Sequence, residues 1–184
     1  SLGASQNKEK EVQEAFNQAF SGVKAQWDLL CERAHQHRLG IVLHKDEVIR
    51  LQNPSRNLGI PLLSLLHEMG FGINIMCFDP TGEVREAACE LIAGLPGGGK
   101  QHQVHSFVTN EELQEQLSQP ELSAVLSEYF YDWRLTSEGI GQFHLAFFQT
   151  GIQGAIASLE RILNVCSNSF YRRYGQYLKR TQHD

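Results

Sequence analysis

The chain has 184 residues, 41% of them apolar and 20% charged, and a net charge of −5 with histidine neutral. That is enough chain for one hydrophobic core and short for two, so a single domain over 1–184 is expected. The composition excludes a collagen, a disulfide mini-scaffold and a disordered tract, and no apolar run approaches the roughly eighteen residues of a membrane span.

Residues 1–8 are polar and read as a flexible tail, and a start at Ser-Leu-Gly-Ala-Ser without methionine fits a processed terminus, a tag remnant or a domain cut from a longer protein. Val12, Phe16, Ala19, Phe20, Val23, Trp27, Leu30, Cys31 and Ala34 then recur at three- and four-residue steps, the spacing of one long amphipathic helix. Leu39–Leu43 is a short apolar run and predicts a buried strand. Val48–Leu51 fits a strand or a turn of helix, and residues 53–57 have loop composition. Pro61 opens a helix with Leu62, Leu65, Leu66 and Met69 on its inner face. Gly72–Phe78 is a second buried strand, followed by a helix capped by Asp79 or Thr81 and ended by Gly94.

After a glycine-rich link, Gln103–Val108 predicts a third strand. Thr109 and Glu112 form a capping box for a short helix with Leu113 and Leu117. Leu122, Val125, Leu126 and Tyr129 continue at helical spacing beyond Pro120. Tyr131–Thr136 and Gln142–Phe148 read as two strands joined by the short link Ser137–Gly141, a hairpin. Ile152, Ile156, Leu159, Leu163, Cys166 and Phe170 mark a last long helix to about Lys179. The sum is an α/β, Rossmann-like fold. It has a mainly parallel sheet of about four or five strands, an antiparallel C-terminal hairpin, and long terminal helices.

In such sheets ligands bind beyond the carboxyl ends of the parallel strands. Here those ends carry His44, Lys45 and Asp46, then Asp79, then Thr109, Asn110, Glu111 and Glu112. Two readings of that rim follow. Asp46, Asp79 and Glu111 could hold Mg²⁺ or Mn²⁺ through oxygen, with Lys45 on a phosphate, in a phosphoesterase or nuclease. Alternatively the same residues are ordinary helix caps.

Other motifs give less. Gly94–Lys100 fits the opening of a phosphate loop, but Gln101 stands where serine or threonine is needed, and the expected order is helix, loop, strand rather than strand, loop, helix. There is no G-x-S-x-G elbow. Eight histidines include the pairs His35/His37 and His102/His105, without neighbouring cysteines to make a zinc set. Cys31, Cys77, Cys89 and Cys166 lie among apolar residues without a C-x-x-C, as buried thiols of a reducing, cytoplasmic compartment do; two bridges in a secreted chain are the alternative that an even count leaves open.

Charge is uneven. Thr81 to Glu138 holds ten acids and three bases, and Arg161 to Arg180 holds five bases and no acid. In the last stretch Tyr171, Arg172, Arg173, Tyr174, Tyr177, Lys179 and Arg180 interleave aromatics with cations, as protein interfaces and single-strand nucleic-acid binders do. The leading expectation is a non-catalytic interaction or regulatory domain. It meets a protein partner or a second copy through its terminal helices; the metal enzyme and a nucleic-acid-binding basic end are the rivals.

Overall fold

The computed structural model describes residues 2–127, 132–168, 170, 173 and 174. Five strands form one sheet: β1 (Arg38–Leu43), β2 (Gly72–Phe78), β3 (Gln103–Phe107), β4 (Leu122–Leu126) and β5 (Gly141–Phe143). Their spatial order is β3-β2-β1-β4-β5, and every neighbouring pair is parallel. Among the described residues seven α-helices accompany them: α1 (Leu2–Ser21), α2 (Lys24–Ala34), α3 (Leu62–Glu68), α4 (Glu83–Ala93), α5 (Asn110–Leu117), α6 (Trp133–Ser137) and α7 (Gly151–Ser167).

Side chains alternate across the sheet, so each strand feeds two cores. Leu39, Ile41 and Leu43 of β1 and Ile73, Ile75 and Cys77 of β2 face one side. There they pack with Leu66 of α3, Ala88 of α4, Leu30 of α2 and Leu159 of α7. Val42, Met76 and Val125 face the other, against Leu113 and Leu117 of α5 and Leu135 of α6. The result is three layers with the sheet in the middle. Because helices cover both faces, the central strands read as continuous apolar runs.

The structure corrects the sequence reading in four places. The first helix is two, broken at residues 22–23, where Gly22 interrupts the pattern. Only α2 reaches the core: Leu30 and Ala34 are buried, whereas Val12 and Phe16 on α1 are 65% and 50% exposed. Leu122–Leu126 is a buried central strand, not a helix. Residues 133–137 are helical and β5 runs parallel to β4, so Ser137–Gly141 is no hairpin link and the sheet has no antiparallel edge. Val48–Leu51, expected as a strand or a turn of helix, takes the second form, within a 3-10 helix, Lys45–Leu51. Finally, the last helix ends at Ser167, because Asn168 is extended (φ −74°, ψ 107°), rather than running on through Phe170; the stretch to Lys179 lies mostly outside the described residues.

The two expected caps are built. Thr109 Oγ accepts from the Glu112 N–H at 3.2 Å, while Glu112 Oε2 accepts from the Val108 and Thr109 N–H groups at 2.7 and 3.4 Å. Thr109→Ala should therefore lower stability by about 1 kcal/mol, measured by urea unfolding; an unchanged midpoint would mean that the glutamate alone sustains the helix start.

Candidate functional site

The strand order reverses at β1: the chain steps outward through β2 to β3, then returns to place β4 on the other side. Loops leaving β1 and β4 therefore diverge at their carboxyl ends and leave a crevice between them. A cleft of about 710 Å³ occupies that position. Val125, Leu113, Leu117 and Leu135 form its apolar wall under α5 and α6, and Leu51 and Leu62 stand on the α3 side. Its volume lies within the range of small-molecule sites.

One end of the cleft is aromatic. His44 follows β1, Phe78 ends β2 and Phe107 ends β3, where Phe78 and Phe107 are register partners. Their rings lie in a row, with centroids 5.5 Å apart for His44–Phe78 and 5.8 Å for Phe78–Phe107. Phe107 is buried, while Phe78 is 36% exposed, unusual for so large an apolar side chain.

Among the described residues the rim above β1 and β4 carries the ion pairs of Arg50 with Glu47 and Arg134 with Asp132. Arg50 Nη1 lies 3.1 Å from Glu47 Oε1, and Glu47 Oε2 accepts from the His44 N–H at 2.9 Å. Asn57 donates from Nδ2 to the Arg50 carbonyl and so ties the loop after the 3-10 helix to this pair. Across the cleft, Asp132 caps α6, accepting at Oδ1 from the Arg134 N–H at 3.2 Å and Nε at 2.9 Å, and at Oδ2 from Nη2 at 2.7 Å. Burial raises the Asp132 carboxyl, but the hydrogen bonds and charge of Arg134, helped by Ser127, outweigh it and hold the group below its ordinary 3.8. The Asp132 side chain is 7% exposed and that of Arg134 41%, so the cation stands outside its carboxylate.

Of the rim residues expected from sequence, His44, Thr109 and Asn110 line the cleft. Lys45 and Asp46 open the 3-10 helix; their side chains lie outside the described residues. Asp79 turns inward to cap α4, accepting from the Gly82 and Arg85 N–H groups at 2.8 Å each. Burial raises its carboxyl, and the amides of Arg85, Val84, Gly82 and Thr81 more than offset this, leaving it lowered. Glu111 is exposed in the first turn of α5. Among the described residues no three His, Cys, Asp or Glu side chains stand together as a metal set. Tyr171, Arg172, Tyr177, Lys179 and Arg180 lie outside the described residues; Arg173 and Tyr174 are helical, and Tyr174 is exposed beside Phe170, ring centroids 5.1 Å apart.

Sequence reasoning missed Glu47, Arg50, Asn57, Ser127, Asp132 and Arg134. The last three follow β4, which was read as helix. Their signal was present in Asp132, a capping residue two positions before an arginine. The cysteines are free thiols; Cys77 is buried, whereas Cys89 is exposed, against expectation. Burial, then the charge of Asp79, pushes the Cys77 thiol up to about 11, far from a nucleophile at neutral pH. No helix among the described residues is long and apolar enough to cross a membrane.

The class these observations define is an α/β domain with a five-stranded all-parallel sheet and a cleft at its carboxyl edge. Comparison with protein-family models, with curated proteins and with solved structures gives no match, so the class is as far as likeness carries.

Proposed function

We propose that this chain is a Rossmann-like, non-catalytic regulatory domain that binds a small molecule in the cleft above β1 and β4. The observation that carries the reading is the cleft itself: about 710 Å³ beyond the strand ends, lined by the apolar side chains of α5 and α6 together with polar ones, of which Asn57, Ser127 and Asp132 are buried. Its carboxylates favour binding over catalysis. Glu47 and Asp132 each hold an arginine, and Asp132 is kept ionised, whereas a general base or acid needs a pKa near the working pH. The test is a small-molecule screen by thermal shift on the chain and on Asn110→Trp, which puts an indole at an exposed rim position. Hits on the chain that weaken by about tenfold or more on the folded variant, about 1.4 kcal/mol, support the reading. Hits indifferent to the indole, or none, count against it.

A second reading, contact with a partner or second copy through the terminal helices, is favoured by α1. Val12 and Phe16 continue the apolar stripe of α2 but remain exposed, and a helix gains most of its stability from burying such a face. Phe16→Glu should then shift the sedimentation coefficient or abolish partner capture without lowering the melting temperature. Arg172→Glu with Arg173→Glu tests the basic end in the same way.

A further inference from the structure

At the opposite, amino end of the sheet, Arg38 begins β1 and lines a second hollow of about 330 Å³. Its side chain is partly buried. One nitrogen, Nη1, donates to Asn74 Oδ1 at 2.8 Å and to the Gln101 carbonyl at 3.0 Å, both of them neutral acceptors. Among the described residues no carboxylate pairs with Arg38, and its Nε and Nη2 donate to no protein acceptor. Neither nitrogen is sealed off from solvent. We infer that this hollow is a second binding site, for a small oxyanion held edge-on by Nε and Nη2 of Arg38. It is independent of the cleft at the carboxyl end.

The donor set argues for this ligand. A guanidinium carries five N–H donors in a planar fork, and those of Nη1 are engaged. The edge that remains sets one N–H of Nε beside one of Nη2, the arrangement that meets two oxygens of a carboxylate or a phosphate. Taking a charge out of water costs free energy unless an opposite charge compensates it. Asn74 and Gln101 hold the group in place without neutralising it. They also fix the direction of the free edge, so little is left to be ordered on binding. The charge is felt inside the fold: after burial and the charge of His67, that of Arg38 is the next cause holding His102 below its ordinary 6.5.

Gly72, the register partner of Arg38 on β2, gives the guanidinium its seat. A Cβ there would lie 3.4 Å from Arg38 Cζ and 3.6 Å from Nε. That is ordinary contact for a methyl group and leaves no room for a branched side chain. Of the other charged or titratable groups lining the hollow, Glu121 is exposed, so solvent screens it more than the partly buried guanidinium. His35 is exposed as well, and His37 Nδ1 lies 3.1 Å from Ser123 Oγ.

The test follows the Arg38 Nε–H signal by ¹⁵N NMR of the full chain at neutral pH. Inorganic phosphate and acetate are titrated separately, against sodium chloride at equal ionic strength. The expected result is a saturable shift at Arg38 with phosphate, acetate or both, in the millimolar range. Arg33, exposed on α2, should drift linearly or stay still. The salt with the lower Kd tells whether the fork prefers phosphate or carboxylate. Arg38→Lys keeps the charge and loses the fork, and should weaken binding by about tenfold or more, read from the Gln101 amide. Gly72→Val, which crowds the guanidinium off its seat, should do the same, whereas Gly72→Ala should leave the Kd within about twofold. An Arg38 shift that follows phosphate, acetate and chloride alike without saturating overturns the site, since water then suffices for the free edge. Saturable binding that neither Arg38→Lys nor Gly72→Val weakens overturns it too. Should a variant fail to fold, the contrast between Arg38 and Arg33 in the unaltered chain decides alone. None of these outcomes depends on the cleft.

Discussion

Gly141→Ala should destabilise the protein by about 2–3 kcal/mol, a fall of several degrees in melting temperature. Gly141 starts β5, where α7 crosses the strand closely enough that a Cβ would lie 2.6 Å from Val165 Cγ1 and 3.0 Å from the Val165 carbonyl oxygen. A flexible side-chain end could swing aside; a β-branched methyl and a helix backbone cannot, so α7 must lift from the sheet. That contact exists only because β5 lies parallel to β4, with α7 returning over it. In the hairpin expected from sequence the same glycine would sit in the link between strands, without this close approach of α7. Gly94→Ala is the control. There the nearest atoms are 3.5 Å away and the backbone is right-handed helical, so the change should stay within about 0.5 kcal/mol. Equal behaviour of the two variants in urea unfolding would contradict the placement of β5.

Stability should also fall by up to about 3 kcal/mol between pH 6.5 and pH 4, through His102. This histidine is 8% exposed. Its Nδ1 accepts from the Ile73 N–H at 3.1 Å, so the neutral ring carries its proton on Nε2, which donates to His67 Nδ1 at 2.9 Å. A second proton would have to enter on Nδ1, against a backbone N–H. Burial, then the charges of His67 and Arg38, push His102 down from 6.5 to about 4. The unfolded chain therefore binds the proton that the folded chain refuses across that interval. The stabilisation is complete above 6.5 and is lost as pH falls toward 4. His102→Gln, whose side-chain oxygen can accept from Ile73, should flatten this slope; a slope unchanged in the variant would place the titration elsewhere. Asp79 and Asp132 act lower. Their carboxyls are depressed from 3.8, so their contribution is present above that value and is lost only as pH falls through the depressed one.

The residues show why part of this molecule could be read beforehand. Leu39–Leu43, Gly72–Phe78 and Gln103–Phe107 each lie between a turn signal and a cap, and Thr109 with Glu112 satisfies a helix start within four residues; such features are local. β4 is not local. Leu122, Val125 and Leu126 fall on helical spacing by accident of a five-residue run buried on both faces, where periodicity carries no information. Losing β4 meant losing Ser127, Asp132 and Arg134, which sit where they do because that strand ends there. The aromatic row has the same origin: His44, Phe78 and Phe107 are 34 and 29 positions apart in sequence and become neighbours through parallel register alone. The rule that a site lies beyond the strand ends located the cleft, and its cast had to wait for the strand order.

The cleft as a binding site is tested most directly by methyl NMR of the Ile, Leu and Val side chains while a ligand is titrated in. The shifts should concentrate on Val42, Leu113, Leu117, Val125 and Leu135, with the α2–α7 methyls of Leu30, Ile156 and Leu159 unmoved. Shifts centred on Val12, Leu30 and Ile156 instead, with the α5–α6 methyls silent, would contradict it.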